Sequence, residues 1–346
     1  MTQQNLAHAP EGARMDSPET ALHPNGALTR VAETGILPVI AIPSAGAAVP
    51  LADALVAGGV RSIEVTLRNP WALESIAAIR AAHPDMAIGA GTILTESQVA
   101  AAQQAGADFL VSPGFDPEIV RAAQAAGLPI VPGVVNPSQV TAAVKMGLKV
   151  LKFFPAEQSG GIPALTLLHG PFPDVTFVPT GGLTPANIGA YLDKPFVAAC
   201  GGSYMAKAAD IAAGDWAKIT DLCRQCIDIS LGFSLAHVGL NTGDAATAAS
   251  TVARFADLFR LPVRDGHGSA FAGSAIECMK TPFYGAKGHI GFSVRSVERA
   301  LAWYRSRGIP VREESIRRTA DGVRLQSFYL AEEPGGFAVH VVKKAS

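Results

Sequence analysis

Lys152 and Glu64 are the two residues of this chain whose type and surroundings point most directly to chemistry. Each is a charged side chain inside an otherwise apolar run, VLKFFP at 150–155 and RSIEVTL at 61–67. A charge in such a run is costly unless it is paired or neutralised. Desolvation lowers the pKa of a lysine and raises that of a carboxylate. A lysine amine that is partly neutral at physiological pH can attack a ketone and form a Schiff base. A carboxylate beside it can shuttle the protons of the carbinolamine, imine and enamine steps. The other use of such a pair is a structural Lys–Glu ion pair across the core. The pattern alone leaves both readings open.

Other residues could serve the ends of a substrate. Arg68 directly follows the run that carries Glu64, and a guanidinium there suits a bidentate grip on a carboxylate. Gly181-Gly182 and Gly201-Gly202-Ser203 close two later apolar runs. Backbone N–H groups in such segments can form a phosphate cup, although one Gly-Gly by itself is an ordinary tight turn. A second constellation lies towards the C-terminus, where the sequence repeats. LAHVGLNTGDAATAASTVARFADLFRLPV (235–263) matches KGHIGFSVRSVERALAWYRSRGIPV (287–311), and SAIECMK (274–280) matches FAVHVVKK (337–344). The repeat places His237, Glu277, His289 and His340 at equivalent positions, and imidazole with carboxylate suits a divalent Zn, Fe, Ni or Mn ion. Outside a repeat, each histidine would read as a hydrogen-bonded residue.

The elements that must position these residues follow from periodicity. Eight short apolar runs alternate with Ala-rich amphipathic stretches between Ile36 and about Asp228: 37–42, 61–67, 86–91, 108–113, 128–133, 150–155, 175–180 and 196–202. Thr95, Asp116 and Asn136 supply helix-start signals. Fully apolar strands alternating with helices indicate a parallel sheet covered on both faces. Eight such units predict an α/β fold, a (β/α)8 TIM barrel over residues 30–228, with a doubly wound open sheet as the alternative. In such a barrel, active residues sit at the C-terminal ends of the strands. The repeat predicts a smaller α+β domain of paired βαβββ modules over residues 235–346.

Composition narrows the function classes. The chain has 346 residues, 49% hydrophobic and 16% charged, which suits two folded domains rather than disorder. A formal net charge of -1 argues against nucleic acid or an anionic membrane as partner. Four cysteines do not make a disulfide framework, and Cys223 and Cys226, in the helix-like WAKITDLCRQCIDI, read as packing residues. No apolar stretch reaches the length of a membrane span, roughly 18 residues. The N-terminus lacks an apolar signal region and carries Glu11, Asp16 and Glu19, so residues 1–29 read as a flexible tail of a soluble, cytoplasmic protein.

GVRSIEVTLR (59–68) and GLKVLKFFPAEQSG (147–160) closely resemble the two signature segments of the bacterial 2-keto-3-deoxy-6-phosphogluconate/4-hydroxy-2-oxoglutarate aldolases. AIGAGTIL, FLVSPG, FVPTGGLTPANIGAYL and CGGSYM follow in that family's order. The resemblance covers about residues 30–228. It implies a class I aldolase that needs no cofactor and acts as a homotrimer on a small 2-keto acid. Lys152 then matches the Schiff-base lysine and Glu64 the general acid/base. Arg68 and Thr92 match positions at the pyruvyl carboxylate, with Pro113 and Phe154 packed around it. Gly181, Gly182 and Ser203 match the phosphate end. The implied reaction splits 2-keto-3-deoxy-6-phosphogluconate into pyruvate and glyceraldehyde 3-phosphate; the shorter 4-hydroxy-2-oxoglutarate would give pyruvate and glyoxylate. The chain departs from the family at IPSAGAAVP (42–50), where charged residues are common. Residues 235–346 resemble the vicinal oxygen chelate (glyoxalase/dioxygenase-like) superfamily, in which paired βαβββ modules bind one divalent metal. The resemblance implies His237, Glu277, His289 and His340 as its ligands, with His340 standing where a Glu is common. That fold also hosts non-catalytic binding proteins, so a scaffold or sensor role is the competing expectation.

Overall fold

The structure, a computed structural model, describes residues 26–344. Helix α1 (Ala27–Thr34) leads into β1 (Ile36–Ile40). Seven more parallel strands follow: β2 (Ser62–Thr66), β3 (Ala87–Gly91), β4 (Phe109–Ser112), β5 (Ile130–Val134), β6 (Val150–Phe153), β7 (Thr176–Pro179) and β8 (Cys200–Gly202). Between them run α2 (Ala48–Ala57), α3 (Ala72–Ala82), α4 (Glu96–Gln104), α5 (Pro117–Ala125), α6 (Pro137–Lys145), α7 (Gly161–His169) and α8 (Ile188–Leu192). Helices α9 (Ala208–Ala213) and α10 (Trp216–Leu231) follow β8.

The local reasons for these elements lie in the residues. β2, β3 and β5 are buried along their whole length, as strands covered on both faces must be. Thr95 forms a capping box with Gln98, while Asp116 and Asn136 accept from Glu118 N and Gln139 N. These caps satisfy N–H groups that the first turn leaves unpaired.

The sheet runs β7-β6-β5-β4-β3-β2-β1-β8. Parallel bridges between Phe177 and Val197 and between Thr180 and Gly201 join β7 to β8, so the sheet curls into a nearly closed barrel rather than a doubly wound open one. Helix α1 begins at Ala27, inside the stretch expected to be tail, because Leu28 and Val31 bury apolar side chains against the barrel. The rest of the expected tail, residues 1–25, lies outside the described residues.

The second domain is an α+β unit. Its first module is β9 (Ser234–Asn241), α11 (Ala245–Phe259), β10 (Val263–Asp265), β11 (Ser269–Ala272) and β12 (Ile276–Met279). Its second is β13 (Gly288–Val294), α12 (Val297–Ser306), β14 (Val311–Arg318), β15 (Leu325–Leu330) and β16 (Ala338–Lys343). Each has the βαβββ order that the sequence repeat predicts. The eight strands form one sheet, β10-β11-β12-β9-β13-β16-β15-β14. β9 pairs with β13 antiparallel, and within the modules β9 and β13 pair parallel with β12 and β16. The antiparallel seam gives each module the neighbour strand that it lacks alone.

Candidate active site

Glu64 and Lys152 are the third residues of β2 and β6, and both side chains project into the barrel. Lys152 Nζ donates to Glu64 Oε1 at 3.2 Å and to Oε2 at 3.5 Å. Their side chains are 7% and 2% exposed, so water does not screen the pair. A methyl group on Gly91 of β3 would overlap the Glu64 carboxylate. The glycine therefore makes room for a charged group that an alanine would displace. Lys152 Nζ also lies 5.2 Å from the centre of the Phe154 ring, just beyond the end of β6.

The other predicted residues sit at the C-terminal ends of strands. Arg68 is exposed after β2, and its Nε donates to Thr92 Oγ1 at 3.2 Å. Thr92 follows β3 with φ +60, a left-handed conformation that a threonine adopts at a cost. Pro113 follows β4 and is half-buried. Gly181 and Gly182, at φ +102 and +74, follow β7. The Thr180–Gly201 bridge sets them beside Gly202 and the exposed Ser203. Lys152 and Glu64 are thus brought into contact, as are Arg68 and Thr92, and the glycine segments share one rim.

Glu157 and Tyr191 went unnoticed in the sequence. Tyr191 O–H donates to Glu157 Oε1, and Glu157 N donates to Gly181 O at 3.1 Å. This strut ties the loop after β6 to the glycine turn after β7.

The second domain gathers its own cluster. His237 on β9 and His289 on β13 face each other with Nε2 atoms 3.0 Å apart. Glu277 Oε2 on β12 lies 3.1 Å from His289 Nε2 and 3.4 Å from His237 Nε2. A His340 ring nitrogen lies within 4.8 Å of ligand atoms of the other two histidines. Donors held on one divalent ion at ordinary Zn–N and Zn–O distances stand about 3.4 Å apart. His289, Glu277 and His237 are spaced close to that. His289 Nδ1 and His340 Nδ1 are buried with no hydrogen-bond partner among the described residues, so protein hydrogen bonds alone do not satisfy the set. Burial, then the His289 and His237 neighbours, drives His340 down to about 3, which keeps it neutral and able to ligate. Burial raises Glu277, but hydrogen bonds from His289 and Ser269, together with the electrostatic attraction of His289 and His237, outweigh it and hold the carboxylate below its ordinary range.

Sequence reasoning missed three supports of this cluster. Tyr329 stacks on His340 with ring centres 4.2 Å apart and planes 3° from parallel. Gly239 stands opposite His289, and Gly291 opposite His237, in the β9–β13 register. A Cβ on either glycine would overlap the facing imidazole. The signal was available: both repeats read His-x-Gly, as His237-Val238-Gly239 and His289-Ile290-Gly291.

Residues 28–222 match the family model described as KDPG and KHG aldolase. The chain is 46% identical over 194 residues to a 2-dehydro-3-deoxy-phosphogluconate aldolase of Treponema pallidum, covering 56% of this chain and 92% of that one. It is also similar to a solved KDPG aldolase of Legionella pneumophila with pyruvate captured as a covalent carbinolamine intermediate. That likeness is 41% identical, covers 57% of this chain and 96% of the other, and has a TM-score of 0.56. A Zymomonas mobilis ZM4 2-keto-3-deoxy-6-phosphogluconate aldolase solved with 3-phosphoglycerate is 39% identical, covering 60% and 97%, with a TM-score of 0.56.

Proposed function

The chain belongs to the KDPG and KHG aldolase family through residues 28–222, and on that premise we propose that its barrel is a class I aldolase. It cleaves 2-keto-3-deoxy-6-phosphogluconate to pyruvate and glyceraldehyde 3-phosphate. The observation that carries this reading is the buried contact of 3.2 Å between Lys152 Nζ and Glu64 Oε1 inside the barrel. Lys152 passes a proton to Glu64 and its freed amine attacks the C2 ketone. The resulting carbinolamine takes a proton from Glu64 and loses water to give an iminium, which leaves Glu64 as the carboxylate. Glu64 then takes the proton of the C4 hydroxyl. The C3–C4 bond breaks, its electrons pass into the iminium as an enamine, and the aldehyde leaves. Protonation at C3 and hydrolysis of the imine release pyruvate and restore Lys152. Every step uses side chains of the barrel, and none calls for a metal.

Arg68, with Thr92, holds the carboxylate end of the substrate, and Pro113 and Phe154 pack around it. Gly181, Gly182 and Ser203 receive the phosphate. The adjoining glycine turns favour this phosphorylated substrate over 4-hydroxy-2-oxoglutarate, which would yield pyruvate and glyoxylate. The protein acts as a soluble, cytoplasmic homotrimer. Among the described residues, no helix is long and apolar enough to cross a membrane.

A second reading concerns the second domain. It resembles the vicinal oxygen chelate fold, and His237, Glu277, His289 and His340 would hold one divalent Zn, Fe, Ni or Mn ion. Such an ion supplies Lewis acidity to a bound oxygen ligand. The spacing of 3.0, 3.1 and 3.4 Å among the donors of His237, His289 and Glu277 favours this reading.

Borohydride reduction in the presence of pyruvate, followed by peptide mass spectrometry, tests the aldolase. A reduced pyruvyl adduct on Lys152 is expected, and it should vanish in Lys152→Met. A folded wild-type chain without an adduct would overturn the mechanism and leave the barrel as a scaffold or sensor.

A further inference from the structure

A helix ends with four backbone carbonyls that have no partner inside it. In α10 all four are met, three of them by the second domain. Gly232 N donates to Asp228 O at 2.8 Å. Arg295 Nε donates to Ile229 O at 2.8 Å, Arg299 Nη1 to Ser230 O at 3.4 Å, and Arg295 N to Leu231 O at 3.0 Å. The Arg299 guanidinium also reaches the end of α1, where Nε donates to Ala32 O at 3.3 Å. Its Nη2 donates to Ala198 O, just before β8, at 3.2 Å. Arg299 is 6% exposed, and these partners are carbonyls rather than carboxylates. The negative ends of two helix dipoles stand where a counter-ion would be expected.

Helix α1 closes the floor of the barrel. Leu28 and Val31 pack with Leu37, Phe109 and Val131 near the starts of the strands, opposite the rim that carries Arg68 and Thr92. Directly above α1 lie Glu64 and Lys152. The void between them is only about 10 Å³, the lower limit for a single water. Helices α1 and α12 also pack against each other.

We infer that Arg299 of the second domain is a positioning residue for the barrel's Lys152–Glu64 site, because it clamps the floor helix α1 beneath that pair. The inference rests on the aldolase reading. With Arg299 in place, α1 stays seated and the floor stays dry, so the lysine and carboxylate keep their relative position through turnover. If α1 loosens, water gains the underside of the pair while the substrate contacts on the rim are untouched. The second domain then serves the barrel through its arginines, whatever its own cluster binds.

The test uses the whole 346-residue chain with Arg299→Lys and Arg299→Ala. Active sites are counted by borohydride trapping with pyruvate, and kcat is expressed per trapped lysine, so unfolded molecules do not enter it. Amide hydrogen exchange reports on residues 27–34. For Arg299→Ala we expect faster exchange in α1 and a kcat per trapped lysine lower by about tenfold, with KM within about twofold. Arg299→Lys, with a compact ammonium in place of the three-way fork, should fall between, and it carries the test where the alanine variant does not fold. Faster exchange in α1 with kcat per trapped lysine unchanged would overturn the proposal, as would unchanged exchange. A wild-type chain that traps no pyruvate would overturn the aldolase reading and this proposal with it. A wild-type adduct with unaltered variant turnover would overturn this proposal alone.

Discussion

Lys152 Nζ contacts both carboxylate oxygens of Glu64, at 3.2 and 3.5 Å, from a strand on the far side of the barrel. Each charge is desolvated and each is the other's compensation. Removing one partner of a buried pair leaves an uncompensated charge, whereas replacing both by apolar groups is often neutral. Lys152→Met should therefore abolish turnover and also lower unfolding free energy by about 3–5 kcal/mol. Adding Glu64→Leu to it should restore most of that stability and none of the activity. Urea unfolding of the single and double variants decides this; a double variant as unstable as the single would mean that the two charges do not compensate one another.

The Glu64 carboxylate occupies space that exists because residue 91 has no side chain. Gly91→Ala is expected to keep the barrel folded but push the carboxylate off its line to Lys152. Turnover should drop by about 10²-fold, with little change in KM. Steady-state kinetics of cleavage check it, and wild-type kcat in that variant would show that the position of Glu64 does not matter.

Arg68 touches Thr92 on the rim, away from the Lys152–Glu64 pair. Arg68→Ala should raise KM by tenfold or more, corresponding to loss of about 1.4 kcal/mol or more of carboxylate binding, while affecting kcat less. An unchanged Michaelis constant would remove Arg68 from the carboxylate site.

Gly239 lets the His289 ring lie across β9. Gly239→Val should therefore displace His289 and abolish metal uptake without altering any proposed ligand. Equilibrium dialysis against Zn²⁺ with elemental analysis should find about one ion per wild-type chain and none in the variant. Aldolase activity should survive chelation, and its loss would make the metal part of the barrel's function.

The barrel should be sensitive to alkali. Cys223, Cys226 and Cys200 are buried, and burial lifts all three thiols, Cys223 to about 12 and Cys226 to about 11 from an ordinary 9.0. Burial raises Tyr204 as well. A group whose folded pKa is raised holds its proton in the folded chain after the unfolded chain has released it. Its stabilisation is complete below the unfolded value and is lost as pH rises towards the folded one. Melting temperature should fall from about pH 9 upwards, and Cys223→Ala should flatten that fall. An equal slope in the variant would place the sensitivity elsewhere.

The eight strands of the barrel were legible because each buries both faces and reads as a bare apolar run, with Thr95, Asp116 and Asn136 marking where helices begin. Lys152 and Glu64 stood out for the same reason, as charges where none is tolerated without a partner. The start of α1 was not legible. Leu28 and Val31 form a single short apolar stripe behind a polar segment, and only the barrel floor that receives them gives it meaning. The Glu157–Tyr191 strut and the stacking of Tyr329 on His340 join residues that are distant in the chain and ordinary in type.

The sequence by itself determined the alternation of strands and helices, the repeat in the second domain, and the chemical types at the site, because periodicity and charge in an apolar run are local properties. It did not determine that Lys152 points at Glu64 across the barrel, that glycines 239 and 291 stand opposite the histidines of the other module, or that Arg299 caps barrel helices. Those depend on strand order, register and the docking of one domain on another, which set distances between residues that the chain keeps far apart.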